Sequence, residues 1–221
     1  MERKKEAIHL TELTWRQLNV SIIGTNTLIC NRCTEEQMEK IKDKRADKGK
    51  IKKVSKTDEE RFMESLHIIS SNNGKPEYGF PAEAFAKAMI SCCGFTEGRI
   101  KKSNTKGAFR ILGIIGQQGV DLVPLRYKEV RMKHDVTRIP KTRGANPVCR
   151  GEFVGWGVTL MINYINNFVS KENLMELLSL AGVVNGIGEK SPRQSCLGSN
   201  GTWVIDSSQL IGDNELNLIK S

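Results

Sequence analysis

SKENLMELLSLAGVVNGIGEKSPRQSCLGSNGTWVID, residues 170–206, sets a helix, a glycine-bearing basic loop and a short strand in immediate succession. Leu174, Leu177, Leu178 and Ala181 recur at helical spacing, and Gly182 allows the helix to stop. Gly186-Ile187-Gly188 follows, and Lys190 and Arg193 then stand between Gly188 and the pair Gly198 and Gly201. Glycine lets main-chain N–H groups come close to an anion, and cations attract it. Gly186, Gly188, Lys190 and Arg193 are therefore candidate phosphate contacts. The glycine pair follows a helix, whereas dinucleotide-binding and P-loop motifs follow a strand, which argues against both of those readings. Thr202 to Asp206 reads as the last strand, so the segment is an α-β step that closes a sheet.

Upstream lies the clearest strand of the chain. Trp156, Val158, Leu160, Ile162 and Tyr164 point one way over Gly155, Gly157, Thr159, Met161 and Asn163. Leu18, Val20 and Ile22 alternate with polar residues in the expected first strand, which Leu28-Ile29-Cys30 extends beyond a turn at Gly24. Thr34-Glu-Glu-Gln37 and Thr57-Asp-Glu-Glu60 have the form of capping boxes. The second predicts an amphipathic helix of about three turns through Phe62, Leu66 and Ile69, ended by a turn at Asn72-Asn73-Gly74. Pro81 opens a stronger helix in which Phe85, Met89, Ile90 and Cys93 share a face. Strands are predicted around Phe109–Gly113 and Val120–Tyr127, the latter continued by Val130 and Met132, and Arg138–Pro147 reads as a loop. Without its charged insertion, the order is βαββαβ. The expected fold class is α+β, a ferredoxin-like or RNA-recognition-like core with a basic helical insertion. Residues 1–221 are expected to form a single domain, with a flexible basic insertion at 40–56 and a weakly ordered tail at 207–221.

Charge points to the partner class. The 221 residues carry 34 Lys+Arg against 25 Asp+Glu, a net charge of +9, which favours an anionic partner. The excess is clustered. Glu39–Lys56 holds nine Lys/Arg and three acids, and Arg99–Arg110 holds five Lys/Arg and no acid. The first cluster, with Lys40, Lys42, Lys44, Arg45, Lys48, Lys50, Lys52 and Lys53, is either a solvated disordered loop or an arm that folds over a nucleic-acid strand. The second, with Arg99, Lys101, Lys102, Lys106 and Arg110, lies between the core helix and a strand. No segment approaches the roughly 20 apolar residues that span a bilayer. The N-terminus lacks a secretory h-region, and the six cysteines lack the spacing of a disulfide scaffold. The expectation is a cytoplasmic chain with reduced thiols.

Several pieces of the chain carry a family likeness: Gly24-Thr-Asn-Thr-Leu-Ile29 before a basic helix, Tyr78-Gly-Phe-Pro-Ala-Glu-Ala-Phe85, Arg150-Gly-Glu-Phe153, Trp156 with its strand, and Ala181-Gly182 leading to Gly186-Ile-Gly-Glu189. In these the sequence resembles tailed-bacteriophage early-region proteins related to the repeat-associated RNA-binding superfamily, the CRISPR effector backbone subunits. Where that family's glycine motif continues with Trp, Arg and Pro, this chain reads Glu189-Lys190-Ser191-Pro192-Arg193. The resemblance implies an RNA-recognition-like fold, single-strand nucleic-acid binding, homo-oligomers assembled side by side along a strand, and residence in the host cytoplasm.

A single-strand binder needs cations along the backbone and flat faces on which bases stack. Aromatics are few, at 6%. Phe109, Tyr127 and Trp156 read as core residues, and Trp203 is a candidate stacker to be tested after the cations. His134-Asp135 is the pair to watch for nuclease chemistry, although neighbours in a strand point to opposite faces. Cys30, Cys33 and Cys92-Cys93 could supply a zinc site, but ordinary apolar packing is the preferred reading, with no metal and no cofactor expected. The expected function is non-catalytic, sequence-tolerant binding of single-stranded RNA or DNA. The alternatives are a self-assembling structural or partner-binding phage protein, and an endoribonuclease of the same superfamily.

Overall fold

A computed structural model describes residues 13–34, 36–39, 42, 56–72, 74–138, 145–195, 197–209 and 211–215. In chain order its first elements are β1 (Trp15–Gly24), β2 (Leu28–Cys30), α1 (Asp58–Ser65), β3 (Ile68–Asn72), β4 (Lys75–Pro81) and α2 (Ala82–Ser91). They are followed by α3 (Lys102–Thr105), β5 (Phe109–Leu112), β6 (Ile114–Ile115), β7 (Asp121–Pro124), β8 (Glu129–Arg138) and β9 (Ala145–Val154). The chain ends with β10 (Gly157–Ile165), α4 (Lys171–Leu180), β11 (Trp203–Ile205) and β12 (Ile211–Glu215).

The protein is α+β, with several antiparallel sheets. The principal sheet runs β11-β1-β10-β5, and β12 also pairs with β1. Every neighbour pair in it is antiparallel. Period-2 alternation explains its two faces. Leu18, Val20 and Ile22 of β1 stand opposite Ile162, Leu160 and Val158 of β10, and all six are fully buried. Helices α2 and α4 cover that face with Phe85, Met89, Leu174, Leu177 and Leu178. Asn185, at the end of the π turn Ala181–Asn185, is buried and donates to the Ala88 carbonyl at 2.8 Å, which ties the end of α4 to α2.

Both core tryptophans anchor the polypeptide through their indole N–H. Trp156 Nε1 donates to the Asn26 carbonyl at 2.7 Å, and Trp203 Nε1 donates to the Leu178 carbonyl at 3.2 Å. Gly24 lies flat beneath the Trp156 indole, where a Cβ would come within 2.2 Å of Nε1.

Two smaller sheets flank this core, with orders β2-β9-β8 and β3-β4-β7-β6. They account for most departures from the sequence-based expectations. Leu28–Cys30 does not extend the first strand in its own sheet; it pairs with β9. The helix opened by Thr57 forms its capping box but ends at Ser65, after two turns. Ile69 belongs instead to β3, because Ile68-Ile69-Ser70-Ser71 and the turn at Gly74 (φ +76°) form a hairpin with β4. Val130 and Met132 do not continue the strand before them. They lie in the ten-residue β8, which pairs with β9 along its whole length. Ala145–Pro147, expected in a loop, are therefore part of β9. Within 207–221, residues 211–215 form β12 against β1.

Candidate nucleic-acid interface

The Arg99–Arg110 cluster is built on a tight basic turn. A buried hydroxyl organises it: Thr96 Oγ1 donates to the Cys93 carbonyl at 2.9 Å and accepts from the Ile100 amide at 3.2 Å. Buried Ile100 and Thr105 pin the turn inward, so the side chains between them point out. Lys101, Lys102, Lys106 and Arg110 are exposed and have no ion-pair partner among the described residues. Arg99 differs. Its two Nη atoms form a fork on the Glu176 carboxylate at 3.0 and 2.5 Å, which ties the turn to α4.

Arg110 connects this turn to the sheet face opposite α2 and α4, where the 3-10 turn Ser207–Gln209 lies on Ser21, whose hydroxyl donates to Gln209 Oε1 at 3.2 Å. It lies on edge strand β5 opposite Asn163 of β10, which lies opposite Gln17 of β1. Gln17 Nε2 donates to Asn163 Oδ1 at 3.0 Å. Further along, the Ser21 and Thr159 hydroxyls are 3.0 Å apart, and Arg126 Nη1 donates to Thr159 at 3.0 Å. Ile23, Leu112, Met161 and Val204 leave exposed apolar surface on the same strands. The face thus offers amides, the exposed Thr159 hydroxyl, two guanidinium groups and small apolar platforms, with the half-buried indole of Trp15 on the same side of β1. Its outward positions were readable from the alternation of Gln17, Asn19, Thr159 and Asn163. The inward partners revealed no reason to select them.

The glycine loop is engaged internally. The amides of Gly186, Ile187 and Glu189 donate to the carbonyls of Ala181, Gly201 and Ile29 at 2.9, 3.0 and 3.0 Å. Gly188, at φ +74°, lies against β2, where a Cβ would come within 2.5 Å of the Ile29 carbonyl. Lys190 forms an ion pair with Asp135 of β8, and Arg193 is exposed. Arg150, nearly buried on β9, joins the same cluster: its Nε is 2.5 Å from Glu189 and its Nη1 is 3.6 Å from Asp135. The hydrogen bond from Lys190 holds the Asp135 carboxyl below its ordinary range.

A second charged cluster, which the sequence did not announce, lies on the same sheet as Asp135. Glu152 is 4% exposed and sits between β2 and β8. It accepts from Lys133 at 2.6 Å, Arg131 at 2.7 Å and Thr27 at 2.9 Å. Burial alone would raise its carboxyl, but these three donors outweigh it and hold the group down at about 2.

Other sequence candidates separate in space. His134 is exposed, with Nδ1 3.7 Å from Asp58, while Asp135 faces Lys190 and Arg150 on the other side of β8. Trp203 is 1% exposed and packs on Phe85 at 5.8 Å, so it is a core residue and offers no face to a base. The shortness of β11 disguised it. Phe109 is buried, and Tyr127 packs against Tyr78 and Phe153. Cys30, Cys92, Cys93 and Cys149 are buried and Cys33 is exposed. Among the described residues no three His, Cys, Asp or Glu side chains gather as a metal site, and no helix is long and apolar enough to cross a membrane. Of the basic insertion, Lys42 is exposed. Lys40, Lys44, Arg45, Lys48, Lys50, Lys52 and Lys53 lie outside the described residues.

No protein-family profile matches this chain, and no curated protein matches it. Among solved structures, it is similar to a chain in the cryo-electron microscopy structure of the Type III-B Cmr-beta complex bound to cognate target RNA. The TM-score is 0.52 at 9% identity, over 92% of this chain and 61% of that chain. At that identity the likeness is one of fold.

Proposed function

We propose that this protein binds single-stranded nucleic acid, RNA in preference to DNA, along the face of its principal sheet opposite α2 and α4. The observation that carries this reading is the set of exposed cations, unpaired among the described residues, in which Lys101, Lys102 and Lys106 stand on the turn that leads into edge strand β5 and Arg110 on that strand opposite Asn163. Phosphates would follow those cations, and base edges and 2′-hydroxyls would meet the amides of Gln17 and Asn163. The core belongs in this proposal to the ferredoxin-like βαββαβ class. Its strand order β11-β1-β10-β5, with α2 before β5 and α4 before β11, supports that assignment. A fold neighbour that sits in an RNA-bound complex supports the choice of RNA. Fluorescence anisotropy with labelled single-stranded oligonucleotides tests the reading. Binding is expected at low salt, with a steep loss as salt rises. Absence of binding at low salt would overturn it.

One observation favours a second reading, self-assembly through a sheet edge. The two-residue edge strand β6 exposes Ile114 at 51% and Ile115 at 72%. Light scattering of nuclease-treated protein separates the two, since edge-to-edge assembly persists without nucleic acid.

A further inference from the structure

A polar cleft of about 390 Å³ opens where the exit of β2, the helical residues Glu36 and Gln37, Lys56, α1 and β9 meet. Arg32, Lys56, Arg61 and Arg150 line it, with Glu36 and Glu64 as its carboxylates. The four cations are not equivalent. Lys56 is paired with Glu36 and with Glu64, the latter at 2.6 Å. Arg150 is held by Glu189 and Asp135. Arg32 directs Nε at the carbonyls of Glu64 and Leu66, at 3.0 and 3.1 Å. That fork fixes the plane of its guanidinium and leaves both Nη atoms without a partner among the described residues. Among the described residues the ion-pair partner of Arg61 is Asp58, at 3.9 Å. Two guanidinium groups with unused donors therefore share one cleft, and both cleft carboxylates are already engaged by Lys56.

We propose that this cleft takes a phosphate monoester carried on a nucleoside, with the phosphate on Arg32 and Arg61. Guanidinium forks match phosphate oxygens in geometry and charge. A terminal phosphate carries close to two charges at neutral pH, against one for a phosphodiester, and so fits a pair of cations better. A volume of about 390 Å³ is far more than a bare phosphate fills and falls in the range of small-ligand pockets, which leaves room for the attached nucleoside. The group can come from the end of a nucleic-acid strand or from a free mononucleotide. This site is separate from the sheet face, and it does not depend on the strand-binding reading.

The test uses the full chain and calorimetric titration with AMP, adenosine and inorganic phosphate. Oligoadenylates with a 5′-phosphate, a 3′-phosphate or neither are then compared. AMP is expected to bind at least tenfold more tightly than adenosine or phosphate. Arg61→Gln should lose at least tenfold in AMP affinity, with unphosphorylated oligonucleotide binding within twofold of the parent. Because Arg32 also supports the backbone, Arg32→Lys is the second variant, accepted only if its urea unfolding curve matches the parent. A tenfold preference for a phosphorylated strand end assigns the strand as the source; AMP binding without that preference assigns the free nucleotide. Either result supports the site. AMP that binds no better than adenosine, or an Arg61→Gln protein that binds AMP as the parent does, overturns it. A parent protein that binds AMP but not the unphosphorylated oligonucleotide would count against the sheet-face reading alone.

Discussion

Replacing Glu152 with Gln removes one negative charge and keeps the shape of the side chain, while Lys133 and Arg131 remain pointed at it. The native carboxyl is held at about 2, against an ordinary value of 4.5. If all of that displacement arises on folding, linkage gives about 3 kcal/mol of stability at neutral pH. Arg131 is half exposed and water shares its ion pair, so the expected loss is about 2 kcal/mol. The direction with pH follows from the sign of the displacement. A carboxyl lowered by folding stabilises the protein above its unfolded value of 4.5, and this contribution disappears as pH falls through the folded value of about 2. Urea unfolding of parent and Glu152→Gln at half-unit steps from pH 7 to pH 2 measures it. The two curves should differ by about 2 kcal/mol at pH 7, draw together as pH falls below 4.5 and nearly meet only at pH 2. A difference that stays constant across the range would refute the electrostatic account of this cluster, and so would equal stability at pH 7.

Three shorter predictions follow from the same packing. Burial, aided by the charge of Arg32, lowers the His67 imidazole to about 4 from 6.5, so the parent should lose stability between pH 6.5 and 4 as the unfolded state takes up the proton first; in His67→Leu this limb of the pH–stability curve should flatten. Gly188→Ala places a Cβ within 2.5 Å of the Ile29 carbonyl at a φ of +74°. It should cost on the order of 2–4 kcal/mol in thermal or urea unfolding, whereas Gly74→Ala, with open space around the same kind of φ, should cost about 1 kcal/mol. Trp203→Ala should cost roughly 3–5 kcal/mol of stability, while Trp203→Phe should leave oligonucleotide affinity within twofold, as expected of a core residue rather than a base-stacking one.

What could be read in advance followed from periodicity. The strand through Trp156, Val158, Leu160, Ile162 and Tyr164 is fully buried at all five positions, because strict alternation admits only one burial pattern in a half-covered sheet. Both capping boxes formed as their spacing required, Thr34 exchanging hydrogen bonds with Gln37 and Thr57 with Glu60. The helices over Phe85 and Leu177 were equally legible. Long-range pairing was not. Leu28–Cys30 can be recognised as a strand, but only β9, more than a hundred residues away, determines which sheet it joins. Arg138–Pro147, with its prolines and bases, suggests a loop, yet pairing with β8 draws Ala145–Pro147 into β9 and overrides that local preference. The same limit applied to the site. Sequence clustering, a local signal, singled out Arg99–Arg110, but it gave no sign that Lys190 meets Asp135 or that Arg99 meets Glu176. Those ion pairs divide residues of similar appearance into engaged and available cations.

The central claim is that the available cations on edge strand β5 and on the turn that leads into it neutralise phosphates. The most direct measurement is the salt dependence of single-stranded RNA binding by the parent and by a variant with Lys101, Lys102, Lys106 and Arg110 all changed to Ala. Each phosphate neutralised on a single strand contributes about −0.7 to the slope of log K against log salt. The variant's slope should therefore be shallower by about 2 to 3, with its affinity at 0.1 M salt lowered by two orders of magnitude or more. An unchanged slope, with the variant folded as the parent is, would contradict the account.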